Sequence, residues 1–341
     1  MSIIPEKEHS VKSLINRYHE GNQEPPRRHF GLSAVGEPCI RRAWYAFRWV
    51  APEQFPGRIL RLFRRGHREE ETVIADLHAI GMDIGEAQKG VDFGYAVRGS
   101  VDGIIYSGVP EAPKKRHLLE IKTHSDKSFR TLKAKGVESA HPKHYAQMQA
   151  YMLGLGLDRA LYVAVNKNDD EYYTERVRID MPLAKKLIEK AKLIVQAEDP
   201  GIRISEDPSW YQCKFCPFSS ICHDREPVRE VNCRTCVHST LRPDGAWLCE
   251  RYKTDIPEAV ERVGCSAHVI RPHLVPWDLV AKKCTDTTAC YRVDGQDVMV
   301  GEDGYTLPEV LSGGTLNDDD AEMVREVFDG RIVSATQTVS K

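Results

Sequence analysis

Apolar positions in the first eighty residues recur at helical spacing. Leu60, Phe63, Val73, Ile74, Leu77 and Ile80 line one face of a long helix over 58–80, preceded by helices at 8–20 and 36–49. The period then changes. Glycine-punctuated runs at 86–93, 97–106 and 117–123 carry Val97, Val101, Ile104, Ile105, Leu118, Leu119 and Ile121, which predicts a meander of three strands. A helix at 143–155, strands at 160–166 and 171–179, and an amphipathic helix at 181–197 complete the pattern. The order is that of an α/β fold, a mixed sheet covered by helices. Beyond Asp199 and Pro200 the segments become short and rich in Cys and Pro. From about residue 275 they are rich in Asp and Gly with weak periodicity, so a metal-bound appendage and a tail are expected there.

A hydrophobic fraction of 41% over 341 residues is enough for one large domain and a small one. The net charge of -2 argues against coating nucleic acid by bulk electrostatics, so any contact with DNA must use local patches. Two exist: Arg41, Arg42, Arg48, Arg58, Arg61, Arg64, Arg65 and Arg68, and then Lys127, Arg130, Lys133 and Lys135. On charge alone both read as solvated helix faces. No apolar run approaches the ~20 residues that span a bilayer, and the amino terminus has no secretory pattern. No membrane partner is expected, and the expected location is cytoplasmic. In such a compartment ten cysteines imply metal ligation, with Cys284 and Cys290 standing apart as ordinary buried thiols. No G-x-x-x-x-G-K-[ST] loop occurs, which excludes an ATP-driven motor of that kind.

The chemistry concentrates around two strand candidates. Gly99-Ser100-Val101-Asp102-Gly103 sets a carboxylate among glycines, and His117-Leu118-Leu119-Glu120-Ile121-Lys122 sets a carboxylate and a lysine on one face, two residues apart. If the strands are neighbours, Asp102 meets Glu120. Two carboxylates so placed raise each other's pKa unless a hard cation such as Mg²⁺ takes their oxygens. Such a cation polarises a phosphodiester and acidifies a water, and the ammonium offsets developing charge.

Further along, Gly66-His67-Arg68-Glu69-Glu70 lies in the long helix, Gln147-Met148-Gln149-Ala150-Tyr151 in the next, and cysteines flank the whole. In this order the chain resembles the RecB-like and lambda-exonuclease-like branch of the PD-(D/E)XK nucleases over roughly residues 33–223, and its cysteine placement resembles the iron-sulfur members. The resemblance implies a restriction-endonuclease-like fold and Mg²⁺ or Mn²⁺ held by Asp102, Glu120 and the carbonyl of Ile121. It makes Lys122 the catalytic lysine and sets Gln147 and Tyr151 near the substrate. The family's extra helix ligand falls on Glu70, with His67 second. The implied activity is a DNA exonuclease acting on duplex or single-strand ends, 5′ to 3′, in phage or bacterial recombination or repair beside a single-strand annealing protein. Processing of CRISPR spacers, a binding module without catalysis, and an electron-transfer protein are the alternatives; the last lacks any flavin or nicotinamide fingerprint.

Cys213, Cys216 and Cys222 make three thiolates, and Cys39 is the natural fourth. By the resemblance they hold a 4Fe-4S cluster in an iron-sulfur subdomain, with zinc as the rival. Cys233, Cys236, Cys249 and Cys265 suggest a zinc-ribbon-like knuckle, in which His238, His268 or His273 could replace a thiolate. The expected domains are a nuclease core at 1–230, a four-cysteine Zn²⁺-binding module at 231–275 and a C-terminal tail at 276–341.

Overall fold

The computed structural model describes residues 10–51 and 54–312. They gather into two compact units, one running to Glu37 and again from Glu53 to Lys192, the other formed by Pro38–Pro52 and the chain from Leu193 onward. The elements begin with α1 (Val11–Gly21), β1 (Phe30–Gly31), α2 (Ile40–Phe47) and α3 (Gly57–Ala79). There follow β2 (Asp83–Gly85), β3 (Gly90–Asp92), β4 (Val97–Ser100), β5 (Gly103–Ser107) and β6 (His117–His124). Next come α4 (Asp126–Ala140), α5 (Pro142–Leu155), β7 (Arg159–Asn166), β8 (Tyr172–Arg178) and α6 (Met181–Gln196).

The first unit is built on a five-stranded mixed sheet of order β2-β5-β6-β7-β8, with β6 and β7 parallel and the other pairs antiparallel. Strand alternation divides β6 between two faces. Leu119 and Ile121 join Val73, Leu77, Ile105, Leu161, Val163 and Val165 in one buried cluster with α3. The intervening residues Glu120, Lys122 and His124 lie on the opposite face.

Three expectations are corrected here. The three-strand meander is split between two sheets, because β4 pairs with β1 and β3 while β5 pairs with β2 and β6. The run at 86–93 breaks where Glu86 and Gln88 turn left-handed, at φ 54° and 58°. The helix expected over 36–49 begins only at Ile40: Pro38 disfavours helical backbone at Glu37, and the Cys39 sulfur accepts the Arg42 N–H as the cap. Sequence periodicity also passed over α4, whose apolar face holds only Phe129, Leu132 and Val137. It kinks where Gly136 takes φ 71°, and Val137 N–H donates to Glu175 there.

In the second unit α2 is joined by α7 (Tyr211–Lys214), the antiparallel sheet of β9 (Ser239–Leu241), β10 (Trp247–Cys249) and β11 (Thr254–Asp255), and α8 (Glu258–Val263). The weakly periodic segment beyond 275 is folded too. It contributes β12 (Asp278–Leu279), β13 (Thr288–Val293) and β14 (Gln296–Gly301) as a second antiparallel sheet, then α9 (Leu307–Leu311). Residues 313–341 of the expected tail lie outside the described residues. A buried ion pair anchors this unit. Arg234 and Glu261 are both fully enclosed, with Arg234 Nε donating to Glu261 at 2.6 Å, Nη1 donating to the Phe47 carbonyl at 2.7 Å, and the guanidinium 3.6 Å from the Trp49 ring centre. Among the described residues no helix is long and apolar enough to cross a membrane.

Candidate active site

The antiparallel register that sets Gly103 opposite Leu119 carries Asp102 to a position opposite Glu120. Asp102 is fixed there because its Oδ2 accepts the Ile121 N–H at 2.8 Å. Lys122 closes the constellation. Its ammonium pairs with Glu120 Oε1, lies 3.9 Å from Asp102 Oδ2 and donates to the Ile121 carbonyl at 3.1 Å. Asp102, Glu120, Ile121 and Lys122 are therefore brought together by one pair of neighbouring strands.

Glu120 is completely buried, and beyond the ion pair with Lys122 neither carboxylate oxygen has a partner of hydrogen-bond geometry. Burial pushes its pKa up to about 7 against the pull of Lys122, and the charges of Asp102 and Glu70 add to the rise. Burial works against the Lys122 ammonium, but Glu120, Asp102 and Glu70 outweigh it and hold its pKa above the usual value. Glu70, on α3, is pushed up by burial and then by Asp102, so it belongs to the same electrostatic group. His67 acts on Glu70 and is exposed, outside the cluster. An orphaned, buried carboxylate oxygen beside two further carboxylates fits a divalent cation.

α5 brings the other residues expected near the substrate. Gln147 and Tyr151 are buried. The Tyr151 hydroxyl feels burial first and then Glu120 and Asp102, which raise its pKa. Gly99 makes room for it: a Cβ there would stand 2.6 Å from the Tyr151 oxygen. Sequence reasoning missed His124, His144 and Tyr162. Tyr162 is opposite Glu120 in the β6–β7 ladder, and burial depresses both histidines, with Lys122 among the charges that add to it. The two-residue period of Glu120 and Lys122 continued to His124 would have found the first.

In the second unit burial and then Cys39 and Cys222 raise the Cys213 thiol, and burial raises Cys216, with the same two cysteines adding to it. Cys233, Cys236, Cys249 and Cys265 line one cavity together with His238 and His268, whereas His273 is not among its walls. Cys233 is pushed up to about 12 by burial and then by the other three thiols. Burial raises Cys236 to about 11, opposed by the N–H groups of Val269 and His238 on its sulfur. His268 spends Nε2 on the Thr235 hydroxyl at 3.0 Å. Among the described residues no three His, Cys, Asp or Glu side chains stand closed to metal-ligand geometry. Both thiol sets and the carboxylates converge without reaching it.

The sequence profile of the PD-(D/E)XK nuclease superfamily matches residues 9–223. No curated protein matches the chain by sequence. Solved structures similar to it include SSO0001, at 16% identity and TM-score 0.41, covering 63% of this chain and 97% of that one. An alkaline exonuclease of Laribacter hongkongensis is similar at 15% and 0.36, covering 52% and 90%. A phage-related exonuclease of Haemophilus somnus 129PT is similar at 16% and 0.35, covering 49% and 91%.

Proposed function

Because the chain belongs to the PD-(D/E)XK nuclease superfamily, we propose that it is a metal-dependent deoxyribonuclease that degrades DNA from its ends. The observation that carries this reading is the convergence of Asp102, buried Glu120 and Lys122 on two neighbouring strands, with Glu70 in the same electrostatic group. Asp102, Glu120, Glu70 and the Ile121 carbonyl would hold Mg²⁺ or Mn²⁺, the ions typical of the superfamily. Bound there, the ion supplies Lewis acidity and an acidified water. Lys122, kept protonated by the three carboxylates, steadies negative charge as it builds on the phosphate. Glu120 and Asp102 orient the site through positions fixed by the β5–β6 ladder. Gln147 and Tyr151 line it on the α5 side.

Arg64, Arg65 and Arg68 on α3 and Lys127, Arg130 and Lys133 on α4 are exposed, in keeping with a grip on phosphates that reads no bases. The preferred polarity, 5′ to 3′, and a role in recombination or repair beside a single-strand annealing protein rest on the family resemblance. The test compares end-labelled linear duplex, linear single strand and covalently closed circular DNA in Mg²⁺. End-dependent loss of the linear forms with the circle intact is expected; rapid cutting of the circle at discrete sequences would replace this reading with a site-specific endonuclease.

The thiol sets complete the proposal. Cys39, Cys213, Cys216 and Cys222 would hold a 4Fe-4S cluster, and Cys233, Cys236, Cys249 and Cys265 a structural Zn²⁺, supported by their shared surroundings and the N–H groups directed at the Cys236 sulfur. Anaerobically purified protein should be brown, with about four irons and one zinc per chain. Colourless protein with two zincs would reverse the first assignment.

A further inference from the structure

The end of the five-stranded sheet where β6 and β7 begin and β8 finishes carries polar side chains that the mechanism above does not use. The parallel register that sets Leu118 beside Ala160 carries His117 beside Arg159. The β7–β8 ladder sets Arg159 opposite Arg178, and Leu161 opposite Arg176. Strand alternation and cross-strand pairing put all four on the face of Leu119, Leu161 and Ile105, the one packed on α3. Glu120 and Lys122 lie on the other face, so this group is separate from the candidate active site.

Two atoms of the group are enclosed and unpartnered. His117 is fully buried, and its Nδ1 lies 2.9 Å from the Lys115 carbonyl. A carbonyl only accepts, so Nδ1 carries the proton and Nε2 of the neutral ring is a bare acceptor. Burial holds the ring below the usual histidine pKa against the pull of the Lys115 bond, and Arg159 and Arg176 add to the depression. Among the described residues Nε2 has no hydrogen-bond partner, and neither has the enclosed Nη1 of Arg176. The charge is one-sided as well. Asp158 pairs with Arg159 at 2.6 Å and with Arg178 at 3.3 Å, which sets three guanidinium groups against one carboxylate. An enclosed acceptor and an enclosed donor that do not meet are costly unless a third group bonds both.

We propose that this end of the sheet is a binding site for a singly protonated phosphate, inorganic or as a monoester, whose P–OH donates to His117 Nε2 while its anionic oxygens accept from Arg176 and Arg178. The proposal stands apart from the nuclease reading. Net positive charge selects an anion, and the planar forks of the arginines suit tetrahedral oxyanions. The bare imidazole nitrogen narrows the class further, because the anion must bring a proton of its own. Sulfate and carboxylates have none at neutral pH. A phosphate monoester loses its second proton at about pH 6, close enough to neutrality for an acceptor in the site to retain it.

Calorimetry on the full-length Lys122→Ala chain without divalent cation tests the site, since that background removes the ammonium of the candidate active site. Inorganic phosphate should bind saturably at one site per chain, about tenfold or more tighter than sulfate, because sulfate leaves the imidazole acceptor unpaired. Adding Arg176→Gln should weaken phosphate about tenfold, and Arg176→Lys should weaken it less. Arg176 is partly exposed, so both substitutions leave the core intact. In nitrogen NMR the His117 Nε2 resonance should move on addition of phosphate and stay in place with sulfate. Comparison with a deoxynucleoside 5′-monophosphate and glucose 6-phosphate identifies the source. Equal affinity for all three would assign the site to the phosphate group itself, and tighter binding of one monoester would assign it to that class. Sulfate binding as well as phosphate, a still His117 resonance, or undiminished phosphate affinity in Arg176→Gln would overturn the site and leave a bridging water as the partner of the two atoms.

Discussion

The carboxylate site and the thiol sets both crowd side chains that would repel one another if all were charged, and the two units handle that crowding by different means. In the first unit a ladder of strand hydrogen bonds holds Asp102 opposite Glu120, and Lys122 partly offsets the repulsion, so the cluster is built into the sheet. In the second unit the cysteines sit on short turns and strand ends, and burial keeps Cys233 and Cys236 as neutral thiols. On the proposed reading, the rigid sheet holds charged ligands ready for a weakly held, exchangeable cation, whereas the short turns would depend on their ion for part of their stability.

The largest expected effects come from breaking the sheet-built cluster. Asp102→Ala and Lys122→Ala should each lower Mg²⁺-dependent DNA degradation by roughly a thousandfold or more with unchanged circular dichroism. Retention of near wild-type rates by both would break the comparison. The thiol set should behave in the opposite way. Cys249→Ser should lose the zinc and cost several kcal/mol of stability in thermal unfolding, while Mn²⁺ binding at the carboxylates is kept. An unchanged melting curve with full metal loss would show that the turns of the second unit need no ion.

A smaller effect is expected at Gly99, where a Cβ would crowd the Tyr151 oxygen at 2.6 Å. Gly99→Ala should cost about 1–3 kcal/mol and lower kcat, read by denaturant unfolding and single-turnover kinetics. A pH series sharpens the same contrast. With its folded pKa pushed up to about 7, Glu120 is protonated below that value and competes poorly for a cation. Mn²⁺ affinity should rise as pH increases toward 7, with proton release in calorimetry, and level off above. In the absence of cation the same raised pKa favours the folded state at low pH, and that advantage is lost as pH climbs through 7. The smallest effect belongs to the surface: Arg68→Ala should leave stability within about 0.5 kcal/mol and reduce the salt slope of DNA binding by about one.

How much of this was legible depended on whether the signal was local. The Glu120–Lys122 spacing and the alternation of Leu119 and Ile121 state their face directly, and Asp102 needed only the neighbouring-strand assumption. α4 was not legible, because three apolar residues and a kinking glycine leave too weak a period. The division of the meander was hidden as well: it depends on β4 pairing in parallel with the distant β1, which no local period signals. His144 and Tyr162 meet through tertiary packing of α5 on β7, which no spacing encodes. For Glu70 and His67 sequence left both open. The half-buried Glu70 carboxylate feels Asp102 while His67 is exposed, which favours Glu70 in the proposed site.

The central claim is that the buried Glu120 carboxylate works with a divalent cation to cut DNA. Single-turnover cleavage of an end-labelled linear duplex in Mg²⁺, compared between wild type and Glu120→Gln, tests it most directly, because the substitution keeps shape and removes the charge. A loss of roughly a thousandfold or more is predicted; a Glu120→Gln rate within about tenfold of wild type would contradict it.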